Sequence, residues 1–167
     1  MWRAGLKVFF IGIMGLLSAM PGLAATQTVT AHIAFASPGS ATKSSDVNFG
    51  AIKADAVGAH TITPDGVVTS GGQSIPVGET PTASNIMIMG GTDQAINISV
   101  AQYTGGGVSP QNATCTYGDH PGGPCEIIDA SPPGKGTPLR LGVQAILNGA
   151  QFVGAPSPSF TVTITYP

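Results

Sequence analysis

Hydrophobic positions along this chain recur with a period of two. In residues 28–35, Val29, Ala31, Ile33 and Phe35 fall on one side of an extended chain, while Thr28, Thr30 and His32 fall on the other. Residues 160–166 repeat the pattern more cleanly, with Phe160, Val162, Ile164 and Tyr166 alternating with Thr161, Thr163 and Thr165. Alternation of this kind marks a strand with one buried face, because successive side chains point to opposite sides of a sheet. Shorter runs at 47–52, 59–63, 67–69, 85–89, 95–102 and 139–147 read as further strands. The runs 85–89 and 95–102 are joined by Gly90, Gly91, Thr92 and Asp93, which predicts a hairpin. The run 59–63 ends in Pro64, Asp65 and Gly66. Proline presets φ and the residues after it tolerate positive φ, so a tight turn is expected there. No run carries a helical stripe.

Composition points the same way. Of residues 25–167, 40 are Val, Ile or Thr and only three are Leu; branching at Cβ favours strands over helices. The expected fold is all-β, an antiparallel Ig-like or pilin-like β-sandwich of about seven to nine short strands. Residues 104–137 stand apart, with eight Gly and five Pro. They read as a long loop-rich excursion, with a short strand at 126–130. The two cysteines of the chain, Cys115 and Cys125, both lie in it. A bridge between them would close a small ring, stabilising by a little under about 3 kcal/mol in the chain-entropy model.

The first 24 residues read as a cleaved signal peptide. Arg3 and Lys7 precede an apolar stretch at 8–17, Pro21 follows, and Gly22, Leu23 and Ala24 form a small-x-small cleavage pattern. The apolar stretch is shorter than the roughly 20 residues of a spanning helix. Cleavage between Ala24 and Ala25 would leave one sandwich domain, 25–167, with no transmembrane segment. Export to a Gram-negative periplasm, a cell surface or the medium follows, and an oxidising compartment makes Cys115–Cys125 a disulfide.

Charge is sparse: six basic and eight acidic residues in 167, of which only four basic ones lie beyond residue 24. Nucleic-acid binding needs clustered Lys and Arg and is excluded on this reading. No nucleophile elbow, zinc-binding helix, phosphate loop or calcium loop occurs, so no catalytic residues, metal or cofactor are expected. His32, His60 and His120 are scattered. Asp119 beside His120 lacks a nucleophile, and adjacent residues rarely point at one centre. Tyr103 and Tyr117 flank the cysteine ring, where they either pack or offer a sugar-stacking platform.

Three features together carry a resemblance. They are Asn48, Phe49 and Gly50 with Ile52; the turn Thr63, Pro64, Asp65 and Gly66 followed by Gly71 and Gly72; and the closing run 160–166. In this order and spacing the chain resembles the secreted bacterial domain-of-unknown-function 4402 family, itself similar to spore coat protein U and fimbrial, pilin-like subunits. Two departures stand out: the cysteine ring, and residues 154–158 in place of the family's Gly-x-Tyr before the last strand.

The C-terminus also resembles subunits assembled by the chaperone–usher route, which end in an alternating strand with a penultimate aromatic and a glycine fourteenth from the end. Tyr166 and Gly154 occupy those places. The resemblance implies a last strand exposed at a sheet edge, with Phe160, Val162, Ile164 and Tyr166 available to a strand from a periplasmic chaperone or another subunit. The row Val29, Ala31, Ile33 and Phe35, followed by small and turn residues at 36–41, is then a candidate donor strand. The function expected is a non-catalytic structural subunit of a pilus-like or other cell-surface assembly. The alternative is a secreted binding module for surface carbohydrate or protein, using the cysteine ring as its contact site.

Overall fold

The computed structural model describes residues 24–35, 39–53, 55–71, 80–105, 108–149 and 158–167, with side chains for all of these except 24–26, 35 and 53. All of the expected signal peptide (1–24) except Ala24 lies outside the described residues, as do Gly154 and positions 36–38 of the expected tether (36–41). Ala24 and Ala25, the expected cleavage pair, open the first strand.

The period-two rows become two sheets of one sandwich. β1 (Ala24–Phe35), β3 (Val47–Lys53), β7 (Ile96–Thr104), β10 (Glu126–Ala130) and β12 (Ser159–Thr165) form the first, in the order β10-β7-β12-β1-β3. The second contains β2 (Ser40–Ser45), β4 (Val57–Ile62), β5 (Val68–Ser70), β6 (Ser84–Met89), β8 (Val108–Tyr117), β9 (His120–Pro124) and β11 (Thr137–Asn148). The fold is an all-β sandwich, with no helix among the described residues. The described residues form twelve strands rather than the seven to nine expected. Phe160, Val162 and Ile164 of β12 meet Leu139, Leu141 and Leu147 of β11 in a single core, all fully buried.

β11 organises the second sheet. One of its edges runs along β8 from Leu139 to Leu147, while the other pairs first with β6 and then with β4. The change of partner falls at Gly142, between Leu141↔Ser84 and Val143↔Ile62. A Cβ there would lie 2.1 Å from the Ile62 carbonyl oxygen and 2.8 Å from the Pro64 nitrogen. Only glycine lets the end of β4 come that close.

Three expectations are corrected. The runs 85–89 and 95–102 do not form a hairpin: β6 belongs to the second sheet and β7 to the first. Their connection is pinned elsewhere, since Gly90 N–H donates to the Gly134 carbonyl and Gly134 N–H to that of Gly91. The excursion 104–137 is mostly strand, comprising β8, β9 and β10. Two of its prolines, Pro121 and Pro124, lie on β9, which among the described residues pairs only with β8, so an edge position tolerates them. Pairing is also not wholly antiparallel, because β1 runs parallel to β12.

The turn at 63–66 is as expected, with Gly66 N–H donating to the Thr63 carbonyl at 2.9 Å and Gly66 at φ 80°.

Candidate functional site: the seam between first and last strands

β1 changes neighbours half-way along its length. Ala24–Val29 pair antiparallel with β3, whereas Thr30–Phe35 pair parallel with β12 on the opposite edge. The row read from the sequence points inward as expected. Val29 and Ala31 are buried and Ile33 packs partly buried against the core, while His32 stays exposed. The Phe35 side chain lies outside the described residues.

The last strand was expected at a sheet edge and is instead interior, flanked by β7 on one side and β1 on the other. The physical reason is β1 itself, whose second half fills the edge that β12 would otherwise expose. Phe160, Val162 and Ile164 are therefore fully buried, with Tyr166 partly buried beside them. Tyr166 also closes one end of the sandwich: a Cβ on Gly90 would meet its hydroxyl at 2.2 Å.

The Asn48-Phe49-Gly50 motif shapes the strand that holds the first half of β1. Gly50 adopts φ 72° and donates its N–H to Asn48 Oδ1 at 2.8 Å. Asn48 also exchanges both backbone hydrogen bonds with Thr82. Phe49 is fully buried, its ring edge-on to that of His60 at 5.3 Å. His60 is likewise buried, with Nδ1 2.8 Å from Ser70 Oγ.

β2 and β3 are one continuous partner strand that changes sheets at Asp46. Up to Ser45 it pairs with β6 in the second sheet, and from Val47 with β1 in the first. Beyond Val29, β1 thus has no ladder partner on this side among the described residues. The gap is bridged by two side chains. Asp46 Oδ1 accepts the Ala31 N–H at 3.0 Å, Lys43 Nζ donates to the Ala31 carbonyl at 3.1 Å, and the two charges meet at 2.6 Å. Both backbone groups of Ala31 are satisfied without a strand beside them. Sequence reasoning missed this clasp. The available signal was a Lys-x-x-Asp spacing between two strand patterns in a chain with few charges.

The cysteine ring was the other candidate. Cys115 and Cys125 are disulfide-bonded, with Cα atoms 5.1 Å apart. The bridge is not peripheral. Cys115 is fully buried on β8, opposite Leu141, and Cys125 is the residue at which the chain passes from β9 into β10. Cys125 donates to the Ala113 carbonyl and accepts from Val100 N–H, so it ties β8 to the facing sheet. Replacing both cysteines with alanine is expected to lower stability by about 2–5 kcal/mol and to shift the whole unfolding transition in urea.

Tyr103 and Tyr117 do not form a platform. Tyr117 is buried and donates its hydroxyl to the Ser131 carbonyl, and Tyr103 accepts the Ala113 N–H while its ring packs near Phe160. Burial pushes the Tyr117 phenol above its ordinary value, with a hydrogen bond to Thr137 acting in the opposite direction. Asp119 and His120 sit at the β8–β9 turn. Among the described residues, no group of three or more His, Cys, Asp or Glu side chains could hold a metal ion, and no helix is long and apolar enough to cross a membrane.

No protein-family model, characterised protein or solved structure matches this chain.

Proposed function

We propose that the chain is an exported, non-catalytic structural subunit that builds a pilus-like or other cell-surface assembly by passing β1 from one copy to the next. The observation that carries this reading is the seam itself. The second half of β1 is held to the first sheet by a single ladder, and that ladder is parallel to β12. Parallel pairing is slightly weaker per residue than antiparallel pairing. If β1 leaves, the edge of β12 and the groove over Phe160, Val162 and Ile164 open for an equivalent strand.

Exchange of an identical element between copies is a low-cost route to assembly, because the same contacts re-form between molecules. Strand addition supplies backbone hydrogen bonds for affinity and pockets for alternate side chains. Cleavage between Ala24 and Ala25 would place β1 at a free N-terminus, and residues 36–39, small and turn-forming types, would serve as its tether; Ser40 and Ala41, expected in the tether, instead open β2. The likeness of the C-terminal run to chaperone–usher subunits supports the same reading, with a periplasmic chaperone as the partner that holds β12 before assembly.

The test is the size of the purified mature protein, 25–167, over a range of concentrations by light scattering. Growth to oligomers is expected for the native chain. A variant stapled by Ala34→Cys and Thr163→Cys, which are register partners across the seam, should remain monomeric. A native protein that stays monomeric at all concentrations contradicts the proposal.

A further inference from the structure

We propose that Lys43 and Asp46 are the latch that keeps β1 in its own sandwich, and so set how fast the strand can be exchanged. The inference rests on the exchange reading above and adds its control.

Ala31 lies at the handover in β1. Residues up to Val29 are held by β3, and those from Thr30 onward by β12. Thr30 N–H points towards β12, donating to the Pro158 carbonyl at 3.0 Å. Backbone groups alternate along a strand, so those of Ala31 face the other way, into the gap left where β2 departs for the second sheet. There the clasp takes both of them.

Hydrogen bonds in which one partner is charged are roughly twice as strong as neutral ones. The two ionic side chains are themselves only about a quarter exposed, at 27% and 28%, so water screens this pair less than an ordinary surface ion pair. Peeling β1 from β12 would pull Ala31 off the clasp and leave two partly covered charges without their backbone partners. The cost falls at the point where β1 must bend to leave. The same arrangement blocks the unpaired edge: Ala31 cannot offer its N–H and carbonyl to an incoming strand while Lys43 and Asp46 occupy them. A charged plug on an open edge is a recognised way to prevent unwanted pairing.

Hydrogen exchange at single amides in the mature protein tests the latch directly. The variants are the double replacement Lys43→Ala with Asp46→Ala, and the milder Asp46→Asn, which keeps an acceptor for Ala31 N–H but removes the ion pair. In the double variant, amides of β1 that face β12 (Thr30, His32 and Ala34) should exchange at least tenfold faster, with those of β11 unchanged. Asp46→Asn should fall between native and double variant, and it carries the test if the double variant does not fold. Equal acceleration in β1 and β11 would show a general stabilising pair and overturn the latch. So would unchanged exchange in β1. Faster opening of β1 without faster mixing of labelled subunits would uphold the latch and contradict strand exchange as the route to assembly.

Discussion

Gly142→Ala is expected to abolish folding under ordinary expression conditions. The added methyl would lie 2.1 Å from the Ile62 oxygen, 2.5 Å from the Thr63 carbonyl carbon and 2.8 Å from the Pro64 nitrogen. All three are backbone atoms, so no side-chain rotation relieves the clash. Pro64 follows immediately in a tight turn, which is hydrogen-bonded between Thr63 and Val67. Relief therefore requires β4 to part from β11, and with it the partner switch that lets one central strand carry both β6 and β4. Ordinary overpacking in a core costs about 1–3 kcal/mol. A backbone clash at a sheet junction should exceed this and take up much of the roughly 5–15 kcal/mol that holds a domain folded. Gly71→Ala is the control, because its Cβ would meet the Ala59 oxygen at 3.6 Å, an ordinary contact. Thermal unfolding followed by circular dichroism should show a small shift for Gly71→Ala and no cooperative transition for Gly142→Ala.

Removing β1 should have a comparable effect, with one difference: it can be reversed from outside. A chain lacking 25–35 loses the buried Val29 and Ala31 and bares the edge of β12 beside Phe160, Val162 and Ile164. An unpaired edge next to an incomplete core is sticky, so the truncated protein should aggregate alone. A synthetic peptide of residues 25–35 supplied during refolding should restore a soluble, cooperatively unfolding species. Within the intact chain, Ile33→Asp should mimic the deletion in part, since an unpaired carboxylate on the core side of β1 costs several kcal/mol. Soluble, monomeric truncated protein in the absence of peptide would mean that β1 is dispensable to the sandwich.

Much of this was readable from residue order because burial on one face imposes period two. Val29 to Ile33 and Phe160 to Ile164 lie inward where alternation put them. Pairing is a different matter. Alternation says which face a residue takes, not which strand lies beside it, so nothing in 85–102 distinguished a hairpin from a crossover between sheets. The interior place of β12 escaped notice for the same reason, since it depends on the parallel return of β1. Glycine and proline density made 104–137 look like a loop. Many of those residues instead lie in the turn at Gly118, on the exposed strand β9, or around the Gly134–Gly136 turn, while Ala113, Cys115 and Tyr117 on β8, just before them, are core. The Lys-x-x-Asp spacing of the clasp was legible, but its target was not, because Lys43 and Asp46 act on the backbone of Ala31, twelve and fifteen residues away in sequence.

The most direct measurement of strand passing uses two variants of the chain 25–167 that each add one cysteine beside the Cys115–Cys125 bridge, Ala34→Cys and Thr163→Cys. The positions are register partners across the β1–β12 seam, and neither variant can close that bridge within one molecule. The two proteins, one carrying a mass label, are mixed, allowed to assemble, oxidised gently and analysed by non-reducing mass spectrometry. If β1 of one copy lies on β12 of the next, the two cysteines should join in a mixed disulfide between labelled and unlabelled chains, linking the peptides that contain residues 34 and 163. Assemblies that form without that cross-link, or chains that remain single and unlinked at every concentration, would contradict strand exchange as the function of this sandwich.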